Sequence, residues 1–171
     1  MRNENTMVKR SIAMIMTAAL LMASLAGCTS FQQNSQEAEA QAANRQYMSQ
    51  VNQITDELTE NLAAFDTAVS DNDPVAMRLQ ADNAFKTLDS LSALEPPEVL
   101  KDIQAGYVEG ASKLEEALNS YIDLYTEMGG ADAANTTVNS ATYDEQLAAI
   151  QQTYNDGIAK LQETDKQATE L

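Results

Sequence analysis

The chain has no histidine, no tryptophan, a single cysteine, three prolines and six glycines among its 171 residues. Without histidine there is no imidazole to ligate haem, to act as base in a Ser–His–Asp triad, or to complete the Glu-x-x-His pairs of di-iron bundles. With Cys28 alone, the chain can form no intramolecular disulfide, no thiolate zinc site and no iron–sulfur cluster. Positive charge is also scarce: ten Lys and Arg stand against 26 Asp and Glu, a formal net charge of −16. Arg2, Lys9, Arg10 and Glu4 fall in the first 27 residues, so the rest of the chain carries about −18. A field of that sign repels phosphate backbones and anionic lipid headgroups. It argues against a nucleic-acid partner and leaves any contact with a bilayer to an anchor.

The N-terminal segment supplies such an anchor. Lys9 and Arg10 precede an uncharged stretch of 16 residues, 12–27, rich in Ala, Leu, Met and Ile. A membrane-spanning helix needs roughly 20 predominantly apolar residues, and this stretch runs straight into small and polar ones, so cleavage fits better than spanning. The run Leu25-Ala26-Gly27-Cys28 resembles the lipobox of bacterial lipoproteins. That resemblance implies removal of residues 1–27 and attachment of diacylglycerol, with palmitate-type acyl chains, to the Cys28 sulfur. Met7 would open a tidier signal than Met1. Two or three acyl chains hold firmly where one binds only marginally, so the expected location is extracytoplasmic, lipid-anchored to the bacterial cell membrane. If the host has an outer membrane and sorts as enterobacteria do, Thr29 after the cysteine points there.

Beyond Cys28, residues 28–36 form a polar tether and residues 37–171 a single domain. Tyr47, Val51, Ile54, Leu58, Leu62, Phe65 and Val69 recur at spacings of three and four, which predicts a helix over residues 37–70. Asp71-Asn72-Asp73-Pro74 then supplies a turn, with Asp73 as N-cap and Pro74 in the first helical position. The second helix, residues 74–93, carries Met77, Ala81, Phe85, Leu88 and Leu91 and stops at Pro96-Pro97. The third opens at Pro97, carries Leu100, Ile103, Tyr107, Leu114, Leu118, Tyr121, Tyr125 and Met128, and ends at Gly129-Gly130. After a small, polar loop over residues 130–140, Thr142 and Glu145 have the spacing of a capping box. The fourth helix follows with Tyr143, Leu147, Ile150, Tyr154, Ile158 and Leu161. Four one-sided stripes, no period-2 pattern and short links predict an all-α, antiparallel up-down-up-down four-helix bundle with one shorter helix.

The third and fourth helices echo each other. Leu100, Ile103, Gln104, Tyr107, Gly110, Lys113, Leu114 and Glu116 recur 47 residues on as Leu147, Ile150, Gln151, Tyr154, Gly157, Lys160, Leu161 and Glu163. A hairpin turning between them sets Gly110 and Gly157 at one height. Each mid-helix glycine costs about 1 kcal/mol relative to alanine, so a compensating reason is expected. Close packing of the two helices is the first reading. A slot flanked by Tyr107 and Tyr154, in which these four residues bind a flat small molecule, is the alternative.

Other features favour solvated surface over chemistry. The acidic groups Asp56, Glu57 and Glu60, Glu115 and Glu116, and Asp123 and Glu127 lack the loop glycine and distal glutamate of a calcium site. Met48, Met77 and Met128 are too dispersed to bind copper. No carboxylate, Ser, Thr or Lys is marked by a partner base or a known motif, so neither catalysis nor a cofactor or metal is expected. The mature part resembles uncharacterised small helical lipoproteins. The expectation is a monomeric, non-catalytic interaction module of the cell envelope, held by lipid at Cys28 and contacting another envelope protein. A bundle that binds or senses a small molecule between helices 3 and 4 is the alternative.

Overall fold

The computed structural model describes residues 35–130 and 140–170. The expected signal, Cys28, most of the tether and the 131–139 link lie outside them. Four α-helices make up the described chain, and no strand occurs among the described residues: α1 (Ser35–Asp71), α2 (Pro74–Ser92), α3 (Lys101–Gly130) and α4 (Ser140–Thr169). A single turn of 3-10 helix, Glu98–Leu100, precedes α3. With α2 the shortest at 19 residues, this is an antiparallel up-down-up-down four-helix bundle.

The direction of each helix follows from cross-helix pairs. Asn61 and Glu57 on α1 both bond Thr87 on α2, as a hairpin turning near residue 73 requires. Tyr47 reaches Gln104 near the starts of α1 and α3, and the rings of Phe65 and Tyr121 meet edge-on at 5.8 Å farther along, so these helices are parallel. Tyr107 near the start of α3 bonds Asp165 near the end of α4. Backbones approach closely along α3–α4, α1–α2 and α2–α3, whereas those of α1 and α4 stay farther apart.

The turn between α1 and α2 satisfies its own backbone. Asn72 adopts φ 55°, which asparagine tolerates better than most residues. From there Asn72 N–H donates to Val69 O and Asp73 N–H to Ala68 O, the two bonds that close a helix end around a left-handed residue. Asp73 Oδ1 then accepts from Val75 N–H and Ala76 N–H, both at 3.0 Å, capping α2, while Pro74 occupies a position whose missing N–H costs nothing.

The stripes form one core. Val51, Leu58, Phe65, Ala81, Leu91, Tyr107, Leu114 and Leu118 are wholly buried. Ile54, Phe85, Tyr125 and Ile150 are half-buried at its edge. One boundary differs from expectation: α4 begins at Ser140, so Thr142 lies inside the first turn and does not cap the helix. Helical geometry already holds the backbone there, and the preceding residue falls outside the described ones.

Candidate functional site

The α3–α4 face is built around glycine. A Cβ placed on Gly110 would stand 2.7 Å from Leu161 Cδ2 and 3.2 Å from the Gly157 carbonyl oxygen. A Cβ on Gly157 would stand 3.0 Å from Leu114 Cδ2 and 3.1 Å from the Leu114 backbone nitrogen. The contact is reciprocal: Leu161 covers Gly110, and its echo partner Leu114 covers Gly157. The 47-residue repeat is thus a local two-fold arrangement in which each leucine fills the hollow left by the other helix's glycine. Gly106, outside the echo, receives the Thr164 side chain in the same way.

This geometry favours the close-packing reading over the slot alternative. Leu114 and Leu161, at 0% and 1% exposure, occupy the space beside Gly110 and Gly157 that a flat ligand would need. Tyr107, fully buried, donates its hydroxyl to Asp165 Oδ1 at 2.5 Å. Burial raises the Tyr107 pKa far above its ordinary value, and the Asp165 bond and charge add to this. Asp165 is itself raised by burial, offset in part by the bond it accepts. Tyr154, at 2% exposure, belongs to the core, and burial pushes its hydroxyl up to about 12. Outside this face Lys160 sits 3.1 Å from Glu109 and Lys113 3.7 Å, lowering the pKa of that exposed carboxyl.

At the end of the bundle where α1 starts, Gln104 joins three helices. Its Oε1 accepts from the Tyr47 hydroxyl, while its Nε2 donates to Leu91 O and Ser92 O, both at 3.0 Å. One amide thereby bonds a buried phenol and two carbonyls that close α2, one of which, Leu91 O, also accepts from Leu94 N–H at 3.4 Å.

Toward the other end a second polar group lies among aromatic rings. Tyr121 on α3 is 3% exposed, and its hydroxyl is buried without a hydrogen-bond partner. Asp66 on α1 is half-buried, and its Oδ1 is also buried without a partner. Burial raises the pKa of both Tyr121 and Asp66 above their ordinary values. Sequence periodicity missed Asp66, Asp165, Gln104 and Gly106 as partners. The available signal was positional: Asp66 stands four residues after Leu62 and Asp165 four after Leu161, where the stripes would carry apolar side chains.

Elsewhere, Asp56, Glu57, Glu60, Glu116, Asp123 and Glu127 are exposed and Glu115 half-buried. Among the described residues no cluster of three or more acidic, Cys or His side chains is placed to hold a metal ion. No described helix is long and apolar enough to cross a membrane. Cys28 lies outside the described residues. No protein-family model, curated protein or solved structure matches the chain.

Proposed function

We propose that this chain is a bacterial lipoprotein whose helical bundle, carried outside the cytoplasm on acylated Cys28, serves as a non-catalytic interaction module of the cell envelope. The observation that carries the reading is Leu25-Ala26-Gly27-Cys28 at the end of a short apolar stretch that follows Lys9 and Arg10. Cleavage before Cys28 would leave only a few residues between the lipid and the start of α1 at Ser35. Every residue from Glu37 to Ala43 is exposed, about two turns of free helix before the core begins, which would hold the acidic bundle about 10 Å farther from the bilayer. A stand-off of this kind suits a body whose charge repels headgroups.

A contact surface is available at the opposite end. Val75 and Leu79, one turn apart on α2, are 77% and 56% exposed, beside the exposed Asp71, Asp73 and Asp82. Exposed Arg78 lies between the two, so the patch pairs an apolar spot with both signs of charge, three carboxylates to one guanidinium, which suits a partner protein with an apolar spot and a mainly basic rim. The anchor is tested by mass spectrometry of membrane-extracted protein: residues 1–27 should be missing and acyl mass present on Cys28, and Cys28→Ser should release the protein from the membrane fraction. An unlipidated wild-type chain beginning at Met1 or Met7 overturns the reading. The module is tested by crosslinking in the native host, where Val75→Asp with Leu79→Asp should abolish any partner captured by the lipidated wild type.

A further inference from the structure

Past the glycine contact, little holds the carboxyl end of α4. After Leu161 the side chains withdrawn from water are Thr164, at 1% exposure, and the half-buried Asp165 and Ala168, and α4 ends at Thr169. Thr164 fills the hollow at Gly106, and its own hydroxyl donates to Lys160 O at 2.8 Å. At the next residue, Asp165 Oδ1 accepts from the Tyr107 hydroxyl at 2.5 Å, which joins α4 to the start of α3. An end secured by small side chains and one cross-helix hydrogen bond opens at less cost than one secured by leucines.

The charge on that acceptor is poorly compensated. No Lys or Arg forms an ion pair with Asp165 among the described residues. Lys101 on α3 pairs with Glu98 at 2.6 Å and Lys160 on α4 with Glu109 at 3.1 Å. Arg45 on α1, Asp102 on α3, and Glu163 and Lys166 on α4 are exposed. The buried titratable group that α1 brings to this end is Tyr47, whose hydroxyl donates to Gln104, one turn before Tyr107. The groups of α2 bonded here are the uncharged Leu91 and Ser92 carbonyls. Ionised Asp165 thus has one neutral donor and no cation where it is half-buried, close to a helix end whose dipole disfavours negative charge. Burial accordingly makes it hold its proton more tightly than an exposed aspartate. To reach water, the carboxylate must draw the adjacent Thr164 away from Gly106.

We propose that Asp165 is a pH-sensitive latch on the α3–α4 seam, at the end of the bundle where α1 starts. Protonated, it rests against Tyr107 and leaves Thr164 seated on Gly106; ionised, it seeks water, and the last two turns of α4 open from α3. Since the closed end binds the proton more tightly than the open one, closure is complete at low pH and weakens as pH rises through the raised value of Asp165. Opening uncovers the Tyr107 ring beside the helix that leads to the N-terminus. This assignment goes beyond the anchored-module reading and does not depend on it.

The test is amide hydrogen exchange of the full chain in nonionic detergent at about pH 5 and about pH 7.5, read by mass spectrometry and corrected for the pH dependence of intrinsic exchange. Protection of residues 162–169 should fall several-fold between the two, while that of residues 74–92 on α2 stays level. Asp165→Asn should remove the step and hold the segment at its acid level of protection at both values. Tyr107→Phe, which deletes the one donor to the ionised carboxylate, should enlarge the step. Asp66→Asn, at the other half-buried aspartate, should leave it in place. A wild-type segment equally protected at both pH values overturns the latch, as does a step that survives Asp165→Asn or one of equal size in α2, which would mark a change in global stability.

Discussion

Replacing Gly110 with alanine sets two effects of opposite sign against each other. Alanine is the better helix former by about 1 kcal/mol, so at an open helical position the change would stabilise the bundle. At Gly110, however, the new methyl group would stand 2.7 and 2.8 Å from Leu161 Cδ2 and Cγ and 3.2 Å from the Gly157 carbonyl oxygen. Leu161 is 1% exposed and has little free volume to retreat into, and the carbonyl belongs to the backbone of α4. Relief therefore requires the two helices to separate by several tenths of an ångström, and overpacking of this kind costs about 1–3 kcal/mol. The net expectation for Gly110→Ala is a loss of about 1 kcal/mol, and for Gly110→Leu about 3 kcal/mol or more. Urea unfolding followed by circular dichroism resolves both. A double-mutant cycle locates the cause: Leu161→Ala alone should cost about 2–5 kcal/mol, but markedly less when Gly110→Ala supplies part of the missing volume. Gly110→Ala that raises stability by about 1 kcal/mol, with no coupling to Leu161, would refute the reciprocal packing.

Gln104→Leu should destabilise by about 2–4 kcal/mol in the same assay, because it strands the Tyr47 hydroxyl and the α2 carbonyls; a neutral result would mean that water replaces the amide. Leu118→Asp, which places an unpaired charge at a position of 0% exposure, should unfold the bundle or cost several kcal/mol, while adding a chelator to the wild type should leave Tm unchanged. Asp66 and Asp165 have folded pKa values raised by burial, so their favourable contribution is present below the unfolded aspartate range and is lost as pH rises through the raised values. Tm should accordingly rise on mild acidification from pH 7, and Asp66→Asn should exceed wild type at pH 7 by a margin that shrinks toward pH 4.

Periodicity revealed the helices because each stripe depends on one residue's position along one helix. Tyr47 through Val69 on α1 needs only the 3.6-residue repeat to be recognised. The Asp73 cap was legible for the same reason, being bonded to donors two and three residues away. The capping box at Thr142 misled because its pattern is satisfied equally well inside a first turn. The glycine contact was legible through the echo, which carries both halves of a reciprocal pair and sets their relative height. Partners that cross the bundle left only half a signal: Asp165 departs from its stripe, but nothing in α4 says that a tyrosine 58 residues earlier will bond it.

The two kinds of feature divide the bundle into parts suited to different work. Between α3 and α4, glycines bring the backbones together and leucines fill the remainder, so that face has a single close-packed arrangement and little freedom to admit anything. Elsewhere the Tyr121 hydroxyl on α3 and Asp66 Oδ1 on α1 are buried without hydrogen-bond partners, and the backbones of α1 and α4 stay apart. Close packing at Gly110 and Gly157 holds Tyr154, one turn before Gly157, at a set height and rotation on α4. Loosening the glycine contact should therefore shift Tyr154 within the core. Gly157→Leu should cost about 1–3 kcal/mol in urea unfolding and alter the near-ultraviolet circular dichroism of the buried tyrosines, and unchanged stability with an unchanged spectrum would show that the glycine contact does not set the position of α4.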